Sequence, residues 1–405
     1  MNNIQRLLLL AVIAMAFSQC HYPNESVLVN QIPQTKEKNL HLSGNSFNFP
    51  GNGKKVAAVT TSFYTESKFE QVELTKFSKD LIKGLKYQLK ALNYRKNKQL
   101  QTYGEVDPSI EKLEKTVYLL LDQQNADHPD FASTLDAIQL DGDDGRGNVY
   151  YTGYYTPVLK VSRVQTAEYK YPIYARPKNW SGKLPTRRQI DGAGVLNGKG
   201  LEIAFTNNLL DIYFMQIQGS GIVEYPDGTN QILAFAGSNG HKYRSVGKYL
   251  MKTGHANAQN ISLKRIKLFF RKNPHLIDPL LYINESYVFF SLVKYQKTPK
   301  GAAHVPLTTG YSIAVDKKYI PLGSCLLAKV PIINKYNQID RYDYRVLIAQ
   351  DVGGVIRGPG RVDLYTGVGN KGRRKASALH HYGKLWLLSP KENISDKTPK
   401  ITASL

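Results

Sequence analysis

The feature that most constrains the fold is a glycine-rich turn between two segments with the pattern of β-strands. From Ala349 to Arg361 the chain reads AQDVGGVIRGPGR. Tyr344–Gln350 before the turn is rich in β-branched and apolar residues, and Val362–Tyr365 after it alternates between apolar and other residues. Glycine allows positive φ and close backbone approach. The sequence therefore predicts two strands joined by a tight turn, with Asp363 and Tyr365 on one face of the second strand.

Two carboxylates, Asp351 and Asp363, flank this turn. An acid on a strand beside an aromatic residue is suited to general-acid chemistry on a sugar. The local sequence alone still favours a structural explanation, because Asp-x-Gly-Gly is a common turn and single carboxylates are usually structural.

Composition indicates a globular protein of two or three domains, with 405 residues, 42% hydrophobic and 21% charged. The 27 tyrosines suit a carbohydrate groove and equally a plain β-rich fold. A net charge of +22 would attract polyanions. The basic residues are scattered, however, without zinc-finger spacing, a basic zipper region or an RNA-binding aromatic run, so we expect no nucleic-acid partner.

Metal and cofactor sites are not indicated by the sequence. Cys325 lies in an apolar run and is expected to be a buried small hydrophobic residue, and no Cys/His spacing suggests zinc. Asp141–Gly145 is similar to the start of a calcium loop, but the twelfth position is Thr152 rather than glutamate, so we expect a turn.

The N-terminus has the pattern of a secretory signal, with Arg6 followed by the apolar run Leu7–Phe17. This run is short for a transmembrane helix. Cys20 follows the run after Ser18 and Gln19 and resembles the lipidated cysteine of a bacterial lipoprotein, although Gln19 stands where a small residue is usual and Phe17 where leucine is usual. The alternative is a plain signal peptide with Cys20 in a flexible tail.

Periodicity divides the rest of the chain. Helical spacing begins at Phe77, and Asp107 before Pro108 is expected to cap a second helix. From about Val149 the pattern predicts four strands, then a turn at Tyr225–Thr229 followed by a further strand at Gln231–Phe235, and two helices, one of them capped by Ser262. The four strands are Tyr150–Tyr155, Tyr171–Ala175, Ile203–Thr206 and Ile212–Gln218, and the first of the two helices is Tyr243–Lys252. After Phe290 the chain is again strand-rich.

Four segments together resemble the membrane-bound lytic transglycosylase A family of bacterial peptidoglycan enzymes. They are Thr152–Val158, Phe214–Gly221, Gly310–Gly323 and the opening turn, and the resemblance runs from about Phe69 to Leu388. In the second segment Gln216 and Gln218 are expected on one strand face before a Gly-Ser-Gly loop, where their amides could bind hydroxyl and acetamido groups.

The resemblance implies an α+β fold, mainly β. It has a double-psi β-barrel domain with attached helices, and a smaller β-rich domain inserted into it, with glycan in the groove between them. The expected boundaries are a signal peptide at 1–20, a tether at 21–55, the barrel domain at 56–152 and 291–390 with a three-aspartate module at 305–388, the insert at 153–290, and a tail at 391–405.

The resemblance also implies a mechanism. Asp363 would be the catalytic acid, protonating the bond between N-acetylmuramic acid and N-acetylglucosamine, and the muramoyl C6 hydroxyl would then close a 1,6-anhydro ring. Asp351 would support the acid, and Asp316 would be structural. The expected substrate-binding residues are Tyr154, Tyr155, Thr156, Gln216, Gln218, Gly219, Ser220, Gly221 and Tyr365. We expect a monomer without cofactor or metal, bound to peptidoglycan strands and held by outer-membrane lipid at the periplasmic face.

Two other functions remain open on the sequence. One is a glycan hydrolase with Asp363 as acid and Asp351 or Glu224 as base. The other is a non-catalytic protein that binds or loosens the cell wall.

Overall fold

The structure, a computed structural model, describes residues 74–94, 109–256 and 263–392, together with three short strands closer to the N-terminus. These strands are β1 (Asn45–Phe47), β2 (Val56–Ala58) and β3 (Thr60–Thr61). The predicted signal segment, Cys20, most of the tether, Asp107, Ser262 and most of the C-terminal tail lie outside the described residues.

The first half of the remaining elements comprises α1 (Lys79–Asn93), α2 (Ile110–Asp122), β4 (Leu135–Gln139), β5 (Val149–Thr156), β6 (Val158–Lys160), β7 (Tyr171–Tyr174), β8 (Glu202–Thr206), α3 (Leu209–Gln218), β9 (Gly221–Glu224) and β10 (Asn230–Ser238). The second half comprises α4 (Val246–Lys252), α5 (Leu263–Lys272), α6 (Ile277–Tyr282), β11 (Val288–Lys294), β12 (Ser312–Val315), β13 (Cys325–Ile333), β14 (Ile339–Val352), β15 (Arg361–Val368), α7 (Gly369–Ala378) and β16 (His380–Pro390). Short π and 3₁₀ turns lie at Arg188–Gly192 and Pro274–Leu276.

The larger sheet closes into a ring. Its strands follow the order β13, β14, β12, β15, β5 and β16, and β16 pairs again with β13. β12–β14 and β5–β15 are parallel pairs, whereas β13–β14 and β5–β16 are antiparallel. β4 and β3 extend the sheet beyond β16. The prediction of a barrel-like β domain is confirmed at this level.

The ring strands are buried on both faces, which explains their long apolar runs. Leu326 and Val362 belong to the core inside the ring. Cys325 and Leu327 belong to a second core with the buried faces of α1 and α2. Cys325 is 1% exposed, and burial raises the pKa of its thiol to about 12. The predicted burial of this cysteine is confirmed.

The two N-terminal helices form where the apolar spacing predicts them. Ser78 caps α1 by accepting a hydrogen bond from the Leu81 amide. α2 is capped by Ser109, whose side chain accepts from the Lys112 amide. The capping residue expected at the start of α2 was Asp107, and the structure assigns this cap to Ser109 instead.

The smaller part of the fold has a sheet in the order β11, β10, β9 and β6, a β7–β8 pair, and helices α3 to α6. Buried side chains of α3 and of β9 and β10 form its core. A second cluster surrounds Arg187, which is 1% exposed. Arg187 donates to Asp191 at 3.1 Å and also to Gln216, within packing distance of the Tyr213 and Tyr287 rings.

The predicted strand Ile212–Gln218 is wrong, because this segment is the helix α3. Nearly all of its residues are buried, and a continuous apolar run cannot distinguish a buried strand from a buried helix. The residues at its two ends identify the segment as a helix: the Asn208 side chain accepts from the Leu210 amide, and Gly219 ends the helix at φ 84°. The helix expected at Tyr243–Lys252 starts later, at Val246, because Ser245 is its cap.

Candidate active site

Asp363 lies on the outer face of the ring, in the first half of β15. Val362 and Leu364 on either side of it face the interior core, so strand alternation directs Asp363 outward. The parallel pairing of β15 with β5 places Thr152 beside Asp363. On the far side of β5, His380 of β16 pairs with Thr152. Asp363, Thr152 and His380 therefore form one row across three strands.

Two donors hold the carboxylate of Asp363. The Thr152 hydroxyl donates to Oδ1, and Nη2 of Arg361 donates to the same oxygen at 3.2 Å. The Asp363 side chain is 18% exposed. Among the described residues no donor contacts Oδ2, so this oxygen is left for a ligand.

Arg361 connects this acid to the smaller part of the fold. Its Nε is buried and has no acceptor within the described residues, which is a common sign of a ligand or water position. Burial raises the pKa of Tyr243, and the Arg361 charge opposes that shift. Tyr243 belongs to the smaller part of the fold, and it lies within electrostatic range of Arg361.

A second row of side chains lies next to the first on the same face. Register pairs Arg361 with Tyr150, and Tyr150 with Tyr382. The two tyrosine rings are 5.0 Å apart between centroids and inclined at 55°. Burial raises the pKa of Tyr150, and the charge of Asp363 adds to this. These rings provide a half-buried aromatic surface adjoining the acid.

Asp351 sits at the end of β14 with both oxygens occupied. Oδ1 accepts from the amides of Ala302 at 3.0 Å and Val352 at 2.9 Å, and Oδ2 accepts from the Tyr154 hydroxyl at 3.0 Å. Burial raises the pKa of Asp351, these donors oppose the shift, and the charge of Asp363 adds to it. Asp351 thus lies within electrostatic reach of Asp363 while holding a backbone turn.

Asp316 follows β12 and organises two turns. Its Oδ1 accepts from the Lys318 amide at 3.1 Å, and its Oδ2 accepts from the Gly358 amide at 3.1 Å. Gly358 has φ 79° and belongs to the glycine-rich turn between Asp351 and Asp363. Asp316 therefore joins that turn to the end of β12.

The Tyr154–Thr156 motif lies mostly beneath the surface. Tyr154 packs against Tyr365 with ring centroids 5.3 Å apart, and the Tyr365 hydroxyl is 2.7 Å from the Thr156 hydroxyl. Tyr365 is 0% exposed and Thr156 is 1% exposed. Tyr155 is also buried. This geometry favours support of Asp351 and of the turn, rather than direct contact of Tyr365 with a sugar.

The Gln216–Gly221 segment differs from the strand face that the sequence predicted. Gln216 is buried against Arg187, and Gln218 accepts from the Tyr155 amide at 3.0 Å, which ties α3 to β5. Gly219 is the left-handed end of α3. Ser220 is partly exposed, and at Gly221 a Cβ would come within 2.5 Å of the Met215 sulfur. Of the predicted segment, Ser220 is best placed for a ligand.

Sequence reasoning did not select several residues that surround Asp363: Thr152, Arg361, Tyr150, Tyr382 and His380. Tyr150 and Thr152 lie in the predicted strand Tyr150–Tyr155, and Arg361 ends the glycine-rich turn. Only the pairing of β5 with both β15 and β16 brings them together.

No cluster of histidine, cysteine and carboxylate side chains suited to a metal ion occurs in the described part of the chain. Within that same part, no helix combines the length and apolar character needed to cross a membrane.

Comparison with known proteins agrees with the geometry. The chain matches the MltA specific insert domain over residues 150–291 and the 3D domain over residues 311–389. It is 38% identical to the membrane-bound lytic murein transglycosylase A of Escherichia coli K12 over 257 residues, which cover 63% of this chain and 69% of that protein.

Solved structures give the same result. The E. coli MltA crystal structure with bound chitohexaose matches with a TM-score of 0.67 at 31% identity, covering 76% of this chain and 90% of that one. The membrane-bound lytic murein transglycosylase of Agrobacterium tumefaciens matches at 0.68 and 25% identity, covering 82% of this chain and 97% of that one. The resemblance inferred from the four segments is confirmed: the chain is an enzyme that belongs to the membrane-bound lytic murein transglycosylase A family.

Proposed function

We propose that this enzyme cleaves the β-1,4 bond between N-acetylmuramic acid and N-acetylglucosamine in peptidoglycan and leaves a 1,6-anhydromuramoyl end. The proposal rests on one observation, which is how the hydrogen-bond donors are distributed over the carboxylate oxygens of the three aspartates. Asp351 and Asp316 use both oxygens on structural donors, whereas Asp363 faces outward and its Oδ2 receives no donor from the described residues. The E. coli relative is named for murein and was crystallised with chitohexaose, a glycan oligomer.

The reaction needs one acid that later acts as a base. The protonated carboxyl of Asp363 donates its proton to the glycosidic oxygen, and the bond from that oxygen to C1 of the muramoyl unit breaks. The C6 hydroxyl oxygen of the same unit attacks C1, and its proton passes to Asp363. The acid is regenerated and no water is consumed. Because the substrate supplies a nucleophile already held beside C1, a second catalytic carboxylate is unnecessary.

The hydrogen-bond donors around Asp363 suit these two proton-transfer steps. As the proton leaves Asp363, negative charge develops on the carboxylate, and the Thr152 hydroxyl and Arg361 guanidinium are already in place on Oδ1. Donors fixed in advance at a site of developing charge lower the barrier. A glycan laid over the half-buried acid also excludes water, which strengthens these interactions.

The test is Asp363→Asn, with Asp340→Asn on an exposed strand position as a matched control. We expect Asp363→Asn to release no anhydro-muropeptides from purified sacculi while still binding them, and the control to behave as the unsubstituted enzyme. A fully active Asp363→Asn enzyme would eliminate the proposed role.

A two-carboxylate hydrolase is less well supported by the geometry. Asp351 is occupied by the Ala302 and Val352 amides and the Tyr154 hydroxyl. Glu224 ends β9 in the smaller sheet, where it pairs with Asn230 and Lys160. Mass spectrometry separates the two reactions, because hydrolysis gives reducing ends heavier by one water than anhydro ends. A protein that only loosens the wall would release no soluble fragments and leave sacculus turbidity unchanged.

We also propose the domain arrangement. Residues 56–152 and 291–390 would form a double-psi barrel containing the three-aspartate module at 305–388, with the insert at 153–290. The closed ring with its two parallel pairs supports this arrangement. Strand pairing adjusts both boundaries of the insert: β5 pairs with β15 as far as Thr156, and β11 pairs with β10 of the smaller sheet as far as Lys294, so the insert would span about 157–294. Glycan would occupy a groove between Tyr243 and Arg361, which lie within electrostatic range of each other.

Attachment to the outer membrane through a lipidated Cys20 forms the last part of the proposal. The relatives are named as membrane-bound, and the cysteine closely follows an apolar signal run. Cys20→Ala would shift the protein from the membrane fraction to the soluble periplasmic fraction. Unchanged membrane association would refute lipidation at this residue. The basic net charge of +22 would add salt-dependent attraction to anionic lipid and to wall carboxylates.

A further inference from the structure

We propose that His380 is a sugar-binding residue that holds the unit next to the one acted on by Asp363. The proposal rests on the proposed function, because it adds a subsite to the same glycan groove. It is carried by strand register, which places His380 and Asp363 on the same outer face with Thr152 between them.

The spacing of these residues fits two adjacent sugars. Neighbouring strands lie about 4.8 Å apart, so residues in one row and two strands apart are separated by about 10 Å at their backbones. A disaccharide spans such a distance. The Tyr150 and Tyr382 rings form the adjoining row, beside Thr152 and His380. Aromatic rings next to a hydrogen-bonding side chain are well suited to a sugar with its apolar face and hydroxyl rim.

The His380 side chain is held from one side and open on the other. Its ring packs on that of His381 with centroids 4.6 Å apart, and the His381 Nδ1 accepts from the His380 backbone amide at 3.3 Å. The backbone of Ser377 bonds the His380 ring. The His380 ring is thus partly covered, while the residue as a whole remains exposed to solvent. One ring nitrogen is thus engaged by protein, and the other can meet a ligand.

The protonation state matches this role. Burial lowers the pKa of His380, and the bond to the Ser377 backbone partly opposes that shift. Burial and the neighbouring His380 also lower the pKa of His381. A neutral imidazole that donates one N–H to the Ser377 carbonyl presents its other nitrogen as an acceptor. That nitrogen can accept a hydrogen bond from a sugar hydroxyl or acetamido N–H.

The test compares His380→Ala, His380→Asn and, as a matched control, the exposed His275→Ala in the full chain. Binding of chitohexaose is measured by calorimetry, and kcat and KM are measured on purified sacculi. One hydrogen bond contributes roughly 0.5–1.5 kcal/mol, which corresponds to about a 2- to 12-fold change. We expect His380→Ala to raise Kd and KM by about that factor with kcat within about twofold. His380→Asn, which keeps a hydrogen-bonding group, should recover most of the loss, and the control should change nothing.

Two results would overturn the proposal. One is unchanged binding and KM in His380→Ala. The other is a loss that His380→Asn does not recover and that accompanies a lower thermal unfolding midpoint, because this would mark a structural role. The binding measurement does not depend on product chemistry. If the unsubstituted enzyme formed no anhydro product, the proposed function would fail while the effect of His380 on binding could still be judged.

Discussion

Replacing Thr152 with valine removes the hydroxyl that donates to Asp363 and keeps a branched side chain of nearly the same size. The neighbouring donor, Arg361 Nη2 at 3.2 Å from Oδ1, also donates to the Thr152 hydroxyl at 3.3 Å; the valine removes that second contact and leaves the bond from Arg361 to Oδ1. The change therefore tests one interaction with the carboxylate that forms when the proton leaves. Since Thr152 is only partly buried, the added methyl group has room at the groove face.

The magnitude follows from the charge that the hydroxyl stabilises. A hydrogen bond to a charged group contributes roughly 1.5–3 kcal/mol, and each 1.36 kcal/mol changes a rate about tenfold. Full loss would therefore lower kcat by about 10- to 150-fold. Because Arg361 still holds the same oxygen, we expect the lower end of this range, about tenfold, with KM little changed.

The assay is release of anhydro-muropeptides from sacculi at several substrate concentrations, with product identity read by mass spectrometry. Thr152→Ser, which keeps the hydroxyl, is the matched control and should stay within about threefold of the unsubstituted enzyme. Thermal unfolding of both variants checks that the ring is intact. A Thr152→Val enzyme with an unchanged kcat would refute the reasoning that this hydroxyl stabilises the developing carboxylate.

Three further substitutions test the fold around the site. Burial raises the pKa of Asp141 from 3.8 to about 6, so the folded protein loses stability as pH rises across that interval. Asp141→Asn should add about 1 kcal/mol to the free energy of unfolding in urea above this interval and nothing below it, and a gain independent of pH would contradict this. Gly219→Ala should cost about 1 kcal/mol in the same assay, because φ is 84° there. Arg187→Met leaves Asp191 buried without its ion-pair partner and should lower the free energy of unfolding by about 3–5 kcal/mol. An unchanged unfolding midpoint would refute the stabilising role of this ion pair.

Much of the fold could be predicted from local pattern. The apolar spacing that begins at Phe77 predicts a helix, and α1 forms there with Leu81, Leu85 and Leu92 buried. The turn at Tyr225–Thr229 and strand β10 after it are also confirmed, because turn residues have specific backbone requirements. The failure at α3 has a physical cause. A helix buried on almost every side has no polar face, so its sequence shows no alternation of apolar and polar residues at the helical period. Only Asn208 and Gly219 indicate where it begins and ends.

The candidate site was harder to predict, because its residues come from strands far apart in the sequence. Thr152 lies on β5, Asp363 on β15 and His380 on β16, and the closed ring alone makes them neighbours. A one-residue shift in the pairing of β5 would place Tyr151 or Gly153 beside Asp363 and send Thr152 inward. The sequence can therefore indicate that Asp363 is an acid on a strand. It cannot indicate which hydroxyl will hold it.

The same geometry explains why three aspartates in one module have different roles. Each lies next to a turn or strand end with glycine nearby, so their sequence contexts are similar. They differ in the donors that surround them. Backbone amides engage Asp316 and Asp351, because those residues lie at the ends of β12 and β14, beside chain segments that supply amide donors. Asp363 lies within a paired strand whose amides are already used in the ladder, so only side chains can hold it. Within the described residues both side-chain donors to Asp363 share Oδ1, so Oδ2 stays open to a substrate, and this distinguishes the proposed acid from its two structural neighbours.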